Sequence, residues 1–304
     1  MERHIIQEFM SDNNPQIYQH WQQRSDQENL DHNRQRLAQL VINFENASSE
    51  TRVVYSHIPK NAGTTLEYIL SKNQRLSDVL HVNAPDLNKQ PDLLNLKKNS
   101  ARLICGHHPM HGLLYQLLSD EPLIHMTMLR NPLDRVISYY NYISGNQQHP
   151  FHEAVSDMPI DAFIEHPQLT EISNGQAKRL SGYLHSNDSY DEDVLFATAK
   201  KVLEQCFTVV LITEQFNQSL LILQKMLNLQ DIYYLPHNQS TKRIEKTHLT
   251  PQQQKRILQR NTVDERLHTH FQEQFIQLCQ QHLPENALET FQQRQQQWRA
   301  LQNT

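Results

Sequence analysis

Three short apolar runs, at Arg52–Ile58, Arg102–Cys105 and Leu123–Leu129, each end in a cluster of polar residues. A fourth, Cys206–Thr213, lies between helical patterns at 191–204 and 214–228. Strands that alternate with helices specify an α/β domain built on a mainly parallel sheet. Ligands of such sheets bind outside the carboxyl ends of the strands. The polar residues at the strand ends are therefore expected to converge on one crevice. They are Lys60 to Thr65, Gly106 to His108, and Arg130 with Asn131.

The first strand end carries the most chemistry. It reads His57-Ile58-Pro59-Lys60-Asn61-Ala62-Gly63-Thr64-Thr65 and runs into a helical pattern that reaches about Asn73. A small-residue loop at a helix N-terminus aims backbone N–H groups, a lysine charge and hydroxyls at one point, which suits a phosphate or sulfate group. The nucleoside-triphosphate loop requires G-x-x-x-x-G-K-[ST]. Here the lysine precedes the glycine, which points away from kinases and ATPases. At the third strand end, Asn131 is a good N-cap and Pro132 a good first helical residue, so a helix to about Ser144 is expected. Arg130 and Ser138, about two turns apart, offer a fork and a hydroxyl matched to phosphate oxygens. Each has an ordinary alternative: an Arg130–Asp134 ion pair, and a helix-surface serine.

The 304 residues carry a formal charge of −5, so a general nucleic-acid binder is not indicated, and an anion site must be a local cluster. Three cysteines at wide spacing (Cys105, Cys206 and Cys279) suggest neither a disulfide framework nor a zinc ribbon. Cys105 and Cys206 read as small buried hydrophobes. No secretory signal and no run of membrane-spanning length is visible, so a soluble, cytoplasmic protein is expected. His107, His108 and His111 could be counted as metal ligands, but they lack an evident carboxylate or Cys partner, and no metal is expected. His57 reads as a satisfied structural histidine. Asp134, Arg135 and Glu214 read as ion-pair members, with Glu214 a reserve base.

The chain divides into a helical extension (1–50), a core domain (51–248) and a helical C-terminal segment (249–304). A helix is expected at 28–46. Residues 81–100 read as loop, with Pro85 and Pro91 as breakers. The stretch 145–193 reads as a long irregular insertion with helical patches at 159–166 and 171–184, suited to shaping an acceptor pocket. Thr250-Pro251 opens a further helix by cap logic, and a Gln-rich helical tail follows. The amphipathic terminal helices can pack on the core or on a second copy, as in a homo-oligomer.

Ile58-Pro59-Lys60-Asn61-Ala62-Gly63-Thr64-Thr65 resembles the 5′-phosphosulfate loop of sulfotransferases that use 3′-phosphoadenosine 5′-phosphosulfate (PAPS). Leu129-Arg130-Asn131-Pro132-Leu133-Asp134-Arg135-Val136-Ile137-Ser138-Tyr139-Tyr140 resembles their 3′-phosphate motif. Gly106-His107 is similar to a Gly-His strand end in the branch containing heparan sulfate 2-O-sulfotransferase and related bacterial proteins. Asn174-Gly175-Gln176, with Leu180 and Gly182, resembles a weaker pattern of the same family. The resemblance covers about residues 52–245. It implies a P-loop-like three-layer fold, PAPS as donor, PAP as product, and a carbohydrate or small-molecule acceptor. It further implies that Lys60, Asn61, Ala62, Gly63, Thr64 and Thr65 hold the 5′-phosphosulfate and that Arg130 and Ser138 hold the 3′-phosphate. The basic loop Thr241-Lys242-Arg243 would close over the nucleotide. His107 is the implied general base and His108 the second choice, since adjacent residues at a strand end face different ways. Two other readings stand beside this one: a kinase-like nucleotide enzyme, and a non-catalytic relative that binds nucleotide or glycan.

Overall fold

Five strands form a single all-parallel sheet in the order β2-β3-β1-β4-β5. They are β1 (Arg52–Ser56), β2 (Val79–His81), β3 (Leu103–Gly106), β4 (Leu123–Leu129) and β5 (Val209–Ile212). The computed structural model describes residues 14–89, 101–183, 190–235 and 244–302. β4 is buried along all seven residues and reads Leu-Ile-His-Met-Thr-Met-Leu, the near-continuous apolar pattern of a strand covered on both faces. Its two polar residues are paired. Thr127 donates to the Ser56 carbonyl at 2.8 Å, and His125 Nδ1 donates to the Cys206 carbonyl. Ser56 stands opposite Gly106 on one side and Thr127 on the other, so the carboxyl ends of β3, β1 and β4 lie side by side.

The sheet departs from the sequence pattern at its edge. Residues 81–100 read as loop, yet Val79–His81 pairs with β3, and Ala84–Lys89 forms a short helix. Three residues are too few to show a period, and Pro85 falls in a first helical turn, where its missing N–H costs nothing. Cys206 closes the Glu192–Cys206 helix rather than opening the last strand.

Helices cover both ends of the described residues. Ser25 and Glu28 form a capping box at the start of the Asp26–Leu40 helix, and Thr250 with Gln253 forms another before Pro251–Gln259. Leu30 and Leu37 from the first of these helices enter the main core, and so do Phe271 and Phe275 of Thr262–His282 and Phe291 of Ala287–Gln302. A second, smaller apolar cluster lies under the Pro132–Gly145 helix. Leu133, Val136, Tyr140 and Ile143 there meet Phe163, Ile164, Leu169 and Ile172 from the stretch that read as an irregular insertion.

Two helices that start far apart in sequence cap one another. Asn174 Oδ1 accepts the Val263 and Asp264 amides at 3.0 and 3.2 Å. Asp264 in turn accepts the Gln176 and Ala177 amides at 3.1 and 2.8 Å. Asp264 is 1% exposed, and burial pushes its carboxyl up, against the lowering influence of Arg135 and these amides. Replacing Asp264 with Ala leaves buried amides without acceptors and should cost about 3 kcal/mol. Chemical denaturation of Asp264→Ala against the parent checks this, and a change within a few tenths of a kcal/mol would refute it.

Candidate active site

The loop between β1 and the Gly63–Lys72 helix is bent by two non-glycine residues in the left-handed region, Lys60 at φ 72° and Ala62 at φ 58°. Such residues cost about 1 kcal/mol or more each and persist only where their surroundings hold them. Ala62 caps the helix without a side-chain hydrogen bond, so the helix opens with its first-turn amides uncapped by a side chain. Gly63 has a steric reason. A Cβ there would fall 1.9 Å from His57 Nε2, so the ring fits only against a glycine. Thr64 is exposed and Thr65 half-buried at this helix start.

Three groups hold the bend. Arg130 Nη1 donates to the Lys60 carbonyl at 2.8 Å, and Arg135 Nε donates to the Pro59 carbonyl at 3.1 Å. Asn61 is fully buried, and its Nδ2 donates to the Met128 carbonyl at 2.6 Å and to Gln176 Oε1 at 2.8 Å. The Asn61 side chain therefore ties the loop to the end of β4 and faces the protein, not the crevice. Gln176 completes the link, accepting the Arg130 amide at 3.0 Å and donating to the Arg130 carbonyl at 2.9 Å. Arg135 is 1% exposed and forms a buried triad with Glu171 and Arg179, at 2.6 and 2.5 Å from the two Glu171 oxygens.

The histidines separate. His108 is 3% exposed, and its Nε2–H is committed to the Val82 carbonyl, so it is turned into the core. His107 is half-buried, and its Nδ1–H donates to the His57 carbonyl at 2.8 Å. That bond leaves the Nε2 lone pair of the neutral ring available. Burial, reinforced by His57, pulls the His107 pKa down to about 4. The His57 and His107 rings lie 4.3 Å apart, which places His107 beside the Gly63 helix start. His57 donates Nδ1–H to Glu67 at 2.9 Å. Glu214, the reserve base, is occupied elsewhere: it accepts the Asn131 amide at 2.9 Å and meets His268 at 2.9 Å.

Facing the loop is the Pro132–Gly145 helix, capped by Asn131 as its sequence requires. The Lys60 ammonium sits 3.9 Å from the centre of the Tyr142 ring. Ser138 is one turn before Tyr142 and so shares the helix face turned to Lys60. Tyr142 is 42% exposed and stands edge-on to His149 at 5.4 Å. Burial and nearby Lys60 lower the His149 pKa. Lys60, His107 and Arg130 thus follow the carboxyl ends of three neighbouring strands, and Ser138 lies on the helix whose Tyr142 meets Lys60. Thr241, Lys242 and Arg243 lie outside the described residues. Sequence reasoning missed Tyr142 and His149 as neighbours of Lys60, and it missed Gln176 as the clamp. Only the loose Asn174-Gly175-Gln176 pattern marked the last of these.

An all-parallel five-stranded sheet flanked by helices is consistent with a P-loop-like sulfotransferase fold. The chain belongs to the galactose-3-O-sulfotransferase family, whose model matches residues 16–301. Galactose-3-O-sulfotransferase 3 of Bos taurus is 23% identical to it over 204 residues, covering 60% of this chain and 47% of the relative. The chain therefore spans about half the length of the curated relative it matches. Two expectations are corrected. The family is that of the galactose 3-O-sulfotransferases, not the heparan sulfate 2-O branch that Gly106-His107 suggested. The soluble, cytoplasmic setting is overturned by the same kinship, because galactose-3-O-sulfotransferase is a Golgi-lumenal, membrane-type enzyme. No helix among the described residues is long and apolar enough to cross a membrane.

The Arg135–Glu171–Arg179 triad makes a pH prediction. Burial alone would raise the Glu171 pKa, but Arg179 and Arg135 outweigh it and hold it at about 2, against an ordinary 4.5. Above 4.5 the carboxyl is ionised in folded and unfolded chains alike, and its stabilisation is fully present. As pH falls from 4.5 toward 2, the unfolded chain takes up the proton first and the stabilisation is lost. Glu171→Gln should therefore be less stable at neutral pH and show a flatter stability profile across that window. Denaturant midpoints measured through the window check this, and parallel profiles for the two proteins would refute it.

Proposed function

We propose that this protein transfers a sulfuryl group from PAPS to a carbohydrate hydroxyl, with the 3-hydroxyl of a galactose-type sugar as the acceptor suggested by its family. The observation that carries the reading is the meeting of two features at adjacent strand ends. One is a cation-bearing loop at a helix N-terminus. The other is a histidine whose bonded Nδ1 leaves Nε2 as a base. The loop suits the donor's phosphosulfate end, since the helix start carries no side-chain cap. Lys60 and the amides of Gly63, Thr64 and Thr65 would hold that end, and Arg130 with Ser138 the 3′-phosphate. When bound, the donor supplies a sulfuryl group on a phosphate leaving group.

The chain's own residues divide the remaining work. Lys60 and the helix-start amides are donors placed where negative charge grows on the leaving phosphate. Tyr142 keeps the Lys60 ammonium against its ring face and so sets where that charge sits. His107 Nε2 takes the proton from the acceptor hydroxyl. Its depressed pKa keeps it neutral throughout the neutral range, with weaker basicity than an ordinary histidine. His57, anchored by Glu67, supports the His107 ring from beneath and offers the carbonyl that fixes its tautomer. Asn61 contributes by shaping the loop, not through its side chain.

Thermal-shift titration with PAP and with ATP separates this reading from a kinase-like one, and stabilisation by ATP but not by PAP would overturn it. Transfer of labelled sulfate from PAPS to galactosides is then measured directly. Lys60→Ala should lower kcat/KM by about 10²–10³. His107→Ala should lower kcat by about 10²–10⁴ while PAP affinity is kept. Loss of PAP binding in His107→Ala would sink its assignment as the base. Because His107 protonates only near pH 4, activity should persist on mild acidification and fall as pH approaches 4. A fall centred at the ordinary histidine value of 6.5 would count against it.

A further inference from the structure

Behind His57, its anchor Glu67 belongs to a second cluster of reactive side chains, whose other members, His81 and Cys105, have no part in the proposed transfer. Cys105 of β3 stands in register with His81 of β2 on one side and with Tyr55 of β1 on the other. Paired residues of neighbouring strands project from the same face, so the three side chains form a row across the sheet. Glu67 comes down onto this row from the Gly63–Lys72 helix. Cys105 Sγ is 3.0 Å from His81 Nδ1, and His81 Nδ1 is 3.9 Å from Glu67 Oε2. All three donor atoms lie within 4.8 Å of one another, and theirs is the one such group of metal-capable donors among the described residues.

We propose that Glu67, His81 and Cys105 bind a zinc-class divalent cation, with a water in the fourth position. Metal–donor bonds of 2.0–2.3 Å place tetrahedral donors about 3.5 Å apart, so small side-chain adjustments suffice to close the set. A thiolate, an imidazole and a carboxylate together suit zinc and exclude a hard cation such as magnesium. Two of the three ligands already have an outer partner. His81 Nε2 lies 3.4 Å from Ser71 Oγ, which favours the tautomer that leaves Nδ1 for the metal. Glu67 Oε1 is held by His57 at 2.9 Å, which leaves Oε2 for the cation.

An independent observation points to an occupant. Tyr55 is 1% exposed, and its hydroxyl has no hydrogen-bond partner, although buried hydroxyls are almost always paired. It stands in the same row as the thiol, and a metal-bound water is the partner it lacks. Entry is open, because the His81 side chain is 55% exposed. On binding, the Cys105 S–H bond breaks, an S–metal bond forms and the proton leaves to solvent. The site needs no donor nucleotide, so it stands or falls apart from the sulfotransferase reading. If occupied, it would hold Glu67, and through Glu67 the His57 ring that lies 4.3 Å from that of His107.

The test uses the full chain stripped with a chelator and titrated with Co²⁺. One equivalent should produce the near-ultraviolet thiolate-to-cobalt charge-transfer band, and Zn²⁺ should abolish it by displacement. Cys105→Ser should lose the band. Should that buried variant fail to fold, His81→Ala, altered at an exposed position, decides the matter: its Co²⁺ affinity should drop about tenfold or more. No band in the parent, a band that survives in Cys105→Ser, or unchanged affinity in His81→Ala overturns the proposal.

Discussion

The candidate site depends on one constraint: the chain between Pro59 and Ala62 must be held in a conformation that it would not adopt alone. Two left-handed residues without glycine's freedom sit within three positions of each other. The cost is offset by hydrogen bonds to groups that the turn itself presents. Arg130 takes the Lys60 carbonyl, Arg135 the Pro59 carbonyl, and Asn61 reaches down to the Met128 carbonyl and to Gln176. Because Arg135 is also a member of an ion triad centred on Glu171, the loop is fastened to one of the least yielding points of the fold. Losing one partner of such a buried set leaves an uncompensated charge, which is costlier than the pair is worth.

Sheet register supplies the second requirement. β1 and β3 end level, with Ser56 opposite Gly106, and β4 runs on past Thr127 to Leu129 beside them, so residues that follow β1, β3 and β4 meet without long excursions of the chain. At the end of β3, a Cβ at Gly106 would land 1.8 Å from the Val82 carbonyl, so only glycine admits that approach. The chain then turns so that His107 and His108 diverge, one against the His57 ring and one into the core.

Much of this was legible in the sequence because it is local. Apolar runs ending in polar residues, the Asn131-Pro132 start and the Thr250-Pro251 start are all written within a few positions. Lys60, Arg130 and Ser138 could be proposed from spacing for the same reason. What was illegible is long-range or orientational. Nothing near Gln176 announces that it will bridge Asn61, Arg130 and Asp264, which are up to 115 residues away. Alternation alone could not decide between His107 and His108, since both are polar and both follow the same glycine. Asn61 read as a loop residue open to ligand because burial of its side chain depends on β4 and the Gly175–Ser181 helix. Cys105 read as a small hydrophobe because β2, which brings His81 beside it, was too short to be seen.

The two apolar clusters have a mechanical consequence. Ile58 and Leu66, which flank the Lys60 loop, belong to the larger cluster, whereas Val136, Ile137 and Tyr140, around Ser138, belong to the smaller. The Lys60 loop and the Ser138 helix therefore meet at a seam between separately packed bodies of side chains, bridged by Arg130 and Arg135. The proposed donor, gripped from both sides, would act as a stitch across that seam. Its binding free energy is then linked to how closely the two bodies are pressed together, and loosening either one is felt as weaker grip at the other.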